Sequence, residues 1–188
     1  MQIDKSMLMI IGVILLWIGI AILGRIIPHP ANATPLAALA ILSGYAFYKN
    51  WAVLMTLISL CVSDILLGLL QNQPISGDWS LFTYSGYMLL AFWAPQRSLT
   101  KKKMVIWEYV LVSTLIYWIW TNFGTWLTSG MYLHDGYGFF ECYLAGVPFL
   151  RNALLGTVIY TAIFLPGVNK LLSISSGFSL SRFAQRAE

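Results

Sequence analysis

Four ionisable side chains, Arg25, Asp64, Glu108 and Arg151, fall inside long apolar runs of the chain. A charge in such surroundings is costly, and by default marks a functional site or a paired partner. Arg25, Asp64 and Arg151 all lie toward the same end of their runs once the runs are threaded up and down. Counted at 1.5 Å per helical residue, Asp64 is about 9 Å and Arg151 about 12 Å from that end. Glu108 lies near the opposite end of its run, within reach of Lys101–Lys103, and reads as an interfacial side chain. Arg151 suits an anionic group. Asp64 can orient Arg151 or accept from a donor, and the two can equally form a structural ion pair that pins their segments together.

Uncharged polar residues share the bias. Asn32, Thr34, Ser63, Thr121, Asn122 and Asn152 gather at the end that holds Arg25, and His29 and His134, the two histidines, fall in loops there. Cys61, Asp64 and Gly68 share one helical face, as do Asn152, Gly156 and Tyr160. The candidate ligand-binding set is therefore Arg25, His29, Asn32, Asp64, Asn122, Arg151 and Asn152. Such a set can bind a polar solute. With His29 or Asp64 as the acid/base group it could instead act on a lipid or quinone headgroup. No catalytic residue is assigned, because the chain has no phosphate loop, nucleotide fingerprint, Cys-x-x-Cys or nucleophile motif. No metal site is expected from two histidines outside helical i, i+4 spacing. Tyr117-Trp118-Ile119-Trp120 and Trp126 read as interfacial belt and packing rather than as a ligand cage.

Positioning these groups requires helices. Six apolar segments are expected, over approximately 7–27, 36–48, 51–70, 79–94, 104–126 and 143–165, with the loop before the last running over 127–142. Pro28, Pro30 and Pro35 punctuate the first loop, and Pro166-Gly167 is expected to stop the last helix. The second run is short, and is expected to start inside the loop or to lie where a bilayer is thin. Residues 169–188 form a Ser-rich basic tail.

The composition says where such helices live. Of 188 residues, 59% are apolar and 10% charged, and the mean hydropathy is +0.74. A soluble domain is about one quarter charged, so most cytosolic enzymes and nucleic-acid modules are excluded. The expected class is an all-α integral membrane protein of six transmembrane helices in one domain, with lipid as an obligate neighbour. Lys5, Lys49, Arg97, Lys101–Lys103, Lys170, Arg182 and Arg186 fall on one side of that arrangement, opposite Asp78, Asp135 and Glu141. The positive-inside rule then makes both termini cytoplasmic and the polar end outward-facing. The first segment, with Ala31-Asn32-Ala33 after it, competes as a signal peptide, but its apolar run is too long.

Particular strings carry a resemblance. Arg25 with Pro28-His29-Pro30-Ala31-Asn32-Ala33-Thr34-Pro35, Ser63-Asp64 with Gly68, Thr121-Asn122-Phe123-Gly124 with Trp126, Cys142-Tyr143, and Pro148-Phe149 with Asn152 and Gly156 occur in that order. Together they resemble a bacterial family of small six-span membrane proteins of unknown function, over about residues 20–165. This chain departs from it at Ala31, at Thr157 and at Tyr132-Leu133. The layout also resembles the S components of energy-coupling-factor vitamin transporters. That likeness implies a multi-pass protein of the bacterial cytoplasmic membrane that takes up a vitamin-sized solute from outside. It further implies a coupling transmembrane subunit with ATPases as partner, and a non-enzymatic role. No cofactor is expected. A cobalamin-specific relative ligates cobalt through a cysteine, but Asp78 and Ser80 stand in the corresponding loop, leaving corrinoid or haem to Cys61, Cys142 or the histidines. A non-catalytic assembly subunit is a further alternative.

Overall fold

A computed structural model describes residues 5–72, 74–96 and 104–175, with backbone alone for 5–10 and 174–175. These residues form six helices and no strand: α1 (Lys5–Ile26), α2 (Leu36–Ala46), α3 (Lys49–Gln71), α4 (Ser80–Trp93), α5 (Val105–Thr128) and α6 (Gly136–Ser175). The basic loop Arg97–Lys103, the tail beyond Ser175 and the Lys5 side chain, all used in the charge-bias argument, lie outside the described residues.

The centre of the bundle is α2. Its sequence, LAALAILSGYA, is apolar on every side, and nine of its residues, Leu36 to Gly44, are buried. A helix apolar all round has no face to offer water and must be enclosed. It packs against each of the other five helices. Small residues let them come close: a Cβ on Gly44 would strike the Ala91 carbonyl of α4. The facing side of α3 is built from Ala52, Thr56, Ser59 and Ser63, all buried. The hydroxyls of Thr56 and Ser59 donate at 2.8 Å to carbonyls one turn back, Ala52 and Met55. Small and hydroxyl residues at helix contacts are the packing style of membrane interiors.

Two helices, α3 and the Gly136–Ser173 stretch of α6, are long and apolar enough to cross a membrane. Only 33% and 17% of their apolar windows are buried inside the protein, whereas the core helix of a soluble protein would be mostly buried. Leu15, Leu16, Leu69, Leu81 and Ile163 are likewise exposed. Six spans are more than length and composition alone support. α2 and α4 have 11 and 14 residues, about 16 and 21 Å at helical rise. α5 is 24 residues long, but its Trp, Tyr, Thr and Asn lower its hydropathy.

The last helix departs most from expectation. It begins at Gly136, inside the segment expected as loop, and runs 40 residues through both Pro148 and Pro166. Its start is set by Asp135, whose carboxylate Oδ1 accepts the Gly138 N–H at 2.8 Å, as a helix cap does. Its continuation past Pro166-Gly167 has a tertiary cause: Val168 is buried in a cluster with Trp17, Leu36 and Leu42, and Leu172 packs against that cluster. Packing of that kind outweighs a local stop signal.

Candidate functional site

The length of α2 creates the site. α3 and α5 are 23 and 24 residues long, about 35 Å. The 11 residues of α2 fill less than half of that height. The loop from Ile27 to Pro35 therefore folds down into the bundle rather than over its top. Pro35 is buried, and the backbone of Ala33 lies against Gly156 in the middle of α6, with its Cα 3.0 Å from where a Cβ would stand. The turn is made at Pro30–Ala33, closed by the Ala33 N–H on the Pro30 carbonyl at 2.9 Å. Asn32 takes φ +65° there, a left-handed conformation that Asn tolerates better than most side chains. Asn152 of α6 fastens the loop by donating to the Ala31 carbonyl at 3.1 Å.

Above this loop lies a cavity of about 450 Å³, within the range of small-molecule sites. Arg25, Asn32, Thr34, Tyr87 and Tyr117 line it, with Thr83, Thr121, Asn122 and Thr125 from α4 and α5. Trp79, Met131, Tyr132 and Phe149 complete the lining, together with Cys142, Ala145 and Gly146 of α6.

The charged centre is a cluster from three helices. Arg25 Nη1 of α1 meets Asp64 Oδ1 of α3 at 2.6 Å and donates to Ser63 Oγ at 2.5 Å. Tyr84 of α4 donates its hydroxyl to the other carboxylate oxygen, Asp64 Oδ2, at 2.5 Å. The Arg25 side chain is 18% exposed and that of Asp64 6%. Arg25 lines the cavity and Asp64 does not, so an occupant would meet the cation with its counter-ion behind it.

Asp64 thus pairs with Arg25, not with Arg151. The expected Asp64–Arg151 contact is corrected by the order of the helices. α3 packs against α1, α2 and α4, while α6 packs against α5 and α2. Arg151 is exposed on α6. Of the candidate set, Arg25, Asn32 and Asn122 line the cavity, and Asp64 holds Arg25 from behind. Asn152 anchors the loop. His29 is outside the lining; its Nδ1 lies 2.9 Å from the neighbouring Pro30 carbonyl. His134 rests edge-on against Trp126, ring centroids 5.5 Å apart.

The residues overlooked in the sequence are tyrosines and threonines. Thr83, Tyr84 and Tyr87 occur at i, i+1 and i+4 of α4 and face α3 and α5, a polar stripe on an apolar helix that helical periodicity could have shown. Tyr117 is read from sequence as belt, yet its ring packs on that of Tyr87 at 4.6 Å within the cavity lining. The indoles do find protein partners: Trp118 Nε1 donates to the Gly146 carbonyl at 2.9 Å, Trp120 Nε1 to Ser85 Oγ at 3.0 Å. Among the described residues, no group of three His, Cys, Asp or Glu stands close enough to hold a metal.

Over the described residues, fold and site together define an all-helical protein with much apolar surface and a cavity lined by Arg25, which Asp64 holds from behind. The chain belongs to the family of unknown function DUF6580, whose family model matches residues 5–177. No curated protein matches it, and no solved structure does.

Proposed function

We propose that the chain is a multi-pass protein of the bacterial cytoplasmic membrane, crossing six times. On this reading it binds a vitamin-sized solute from the outside and takes it up, in the manner of an S component. The observation that carries this reading is the cavity of about 450 Å³ that exposes Arg25 while hiding Asp64. It lies at the end of the bundle where the α1–α2, α3–α4 and α5–α6 loops converge, opposite the Lys49 turn. The charge bias makes that end the outer one. An enzyme working on a lipid or quinone headgroup would need an acid or base within reach of its substrate. Among the described residues the cavity lining includes neither a carboxylate nor an imidazole, which leaves an enzyme only the tyrosines and Cys142 as acid or base, and this weighs toward binding. A coupling subunit with ATPases would supply the energy for uptake.

The test is extraction. Protein purified in mild detergent is denatured, and the released small molecules are identified by mass spectrometry. Wild type is expected to release a near-stoichiometric solute. Ala145→Trp, which fills the cavity from a lining position, is expected to release none. A solute recovered equally from both proteins, or one converted to product on incubation, would sink the reading.

A further inference from the structure

Resting on that binding reading, we propose a chemical class for the solute: a flat heterocycle carrying one carboxylate and ring N–H donors. The carboxylate end is set by Arg25. Both of its contacts use Nη1, so the side-on edge of the guanidinium, Nε with Nη2, is uncommitted among the described residues. That edge is the fork that matches a carboxylate with two parallel hydrogen bonds. The number of charges follows from Asp64. Among the described residues Arg25 is the one cation in the lining, and Asp64 is its counter-ion. A monoanion leaves a single excess negative charge beside the fork, whereas a dianion such as a phosphate monoester leaves two and finds no second cation among the described lining residues.

The body of the solute is set by the walls. Tyr87 and Tyr117, with Phe149 and Trp79, give it aromatic surfaces, against which flat rings stack well. Three wall groups of α5 turn a donor away from an occupant. Thr121 Oγ1 donates to the Tyr117 carbonyl at 3.0 Å and Thr125 Oγ1 to the Thr121 carbonyl at 3.1 Å. Asn122 Nδ2 donates to the Trp118 carbonyl at 2.8 Å. The two threonines are left with oxygen lone pairs to offer and Asn122 with one further N–H, so a ligand edge that donates is complementary to the threonine side of this wall.

The test uses a matched probe series on the full chain in detergent, read by calorimetry: indole-5-carboxylate, indole-5-carboxamide and 1-methylindole-5-carboxylate. The carboxylate is expected to bind at least about tenfold tighter than the amide, as a charge-assisted fork implies, and tighter than the N-methyl compound. Asp64→Asn is expected to raise the ratio of carboxylate to amide affinity above its wild-type value, because Arg25 then lacks its counter-ion. Because removing Asp64 also removes a structural partner, the wild-type comparison stands on its own. Equal binding of carboxylate and amide overturns the carboxylate assignment while leaving a binding cavity. Equal binding of the N-methyl compound overturns the donor assignment. No binding of any probe overturns the class, and extraction from wild type then separates a wrong class from a wrong binding reading. A stoichiometric solute without a carboxylate indicts the class alone.

Discussion

Arg25 and Asp64 meet at 2.6 Å between α1 and α3, and that contact joins the stability of the bundle to a residue that lines its cavity. Asp64 is the buried member, and leaving a buried charge uncompensated costs at most about 3–5 kcal/mol. Arg25→Leu is therefore expected to destabilise strongly. The double variant Arg25→Leu, Asp64→Leu is expected to recover most of the loss, because two apolar residues leave no charge behind. Thermal unfolding in detergent measures both. A single variant as stable as wild type would show that the pair does not hold α1 to α3.

Tyr84 supports the carboxylate from the side opposite Arg25. A hydrogen bond to a charged group contributes about 1.5–3 kcal/mol. Tyr84→Phe, which keeps the ring and removes the donor, is expected to lose that amount on the same assay. In the Asp64→Asn background the loss is expected to shrink, since the charged acceptor is gone. An undiminished loss there would place the role of Tyr84 in packing.

Gly156 controls how far the Ile27–Pro35 loop descends. A Cβ there would stand 3.0 Å from the Ala33 Cα, and the neighbour is backbone, which yields reluctantly. Helix propensity alone favours Gly→Ala by about 0.8–1.0 kcal/mol. Overpacking costs about 1–3 kcal/mol. Gly156→Val is expected to destabilise and to weaken retention of any solute, by lifting the loop into the cavity. A stabilised Gly156→Val protein would show that the loop does not rest on α6.

The proposed six-span arrangement predicts which loops meet the outside. In a variant with Cys61 and Cys142 replaced by Ala, a single cysteine at Gly130 is expected to react with a membrane-impermeant maleimide in intact cells. One at Lys49 is expected to react only after the membrane is permeabilised. Labelling of the Lys49 site in intact cells would invert or break the proposed topology.

Much of this was legible in the chain because hydropathy is local. Apolar runs, prolines between them and the absence of alternation define six helices, and the enclosed character of α2 follows from its lack of a polar face. The gathering of Arg25, Asn32, Asp64 and Asn122 at one end of the bundle follows from counting residues along those runs. A local signal misled where packing opposed it, since the stop at Pro166-Gly167 yields to the contacts of Val168 and Leu172; another was overlooked, since the Asp135 cap starts α6 about two turns before its expected apolar run.

Tertiary structure alone decided the partner of Asp64. Arg25 and Arg151 are equivalent in sequence terms, each a cation toward the same end of the threaded apolar runs. Only the placement of α2, with α3 packed on one part of its surface and α6 on another, brings Arg25 to the carboxylate and leaves Arg151 exposed. The cavity has the same origin. It is the height that an 11-residue helix leaves open between longer neighbours. Sequence spacing reports position along a helix axis, whereas a buried ion pair and a void depend on which helices are neighbours and how far each one rises.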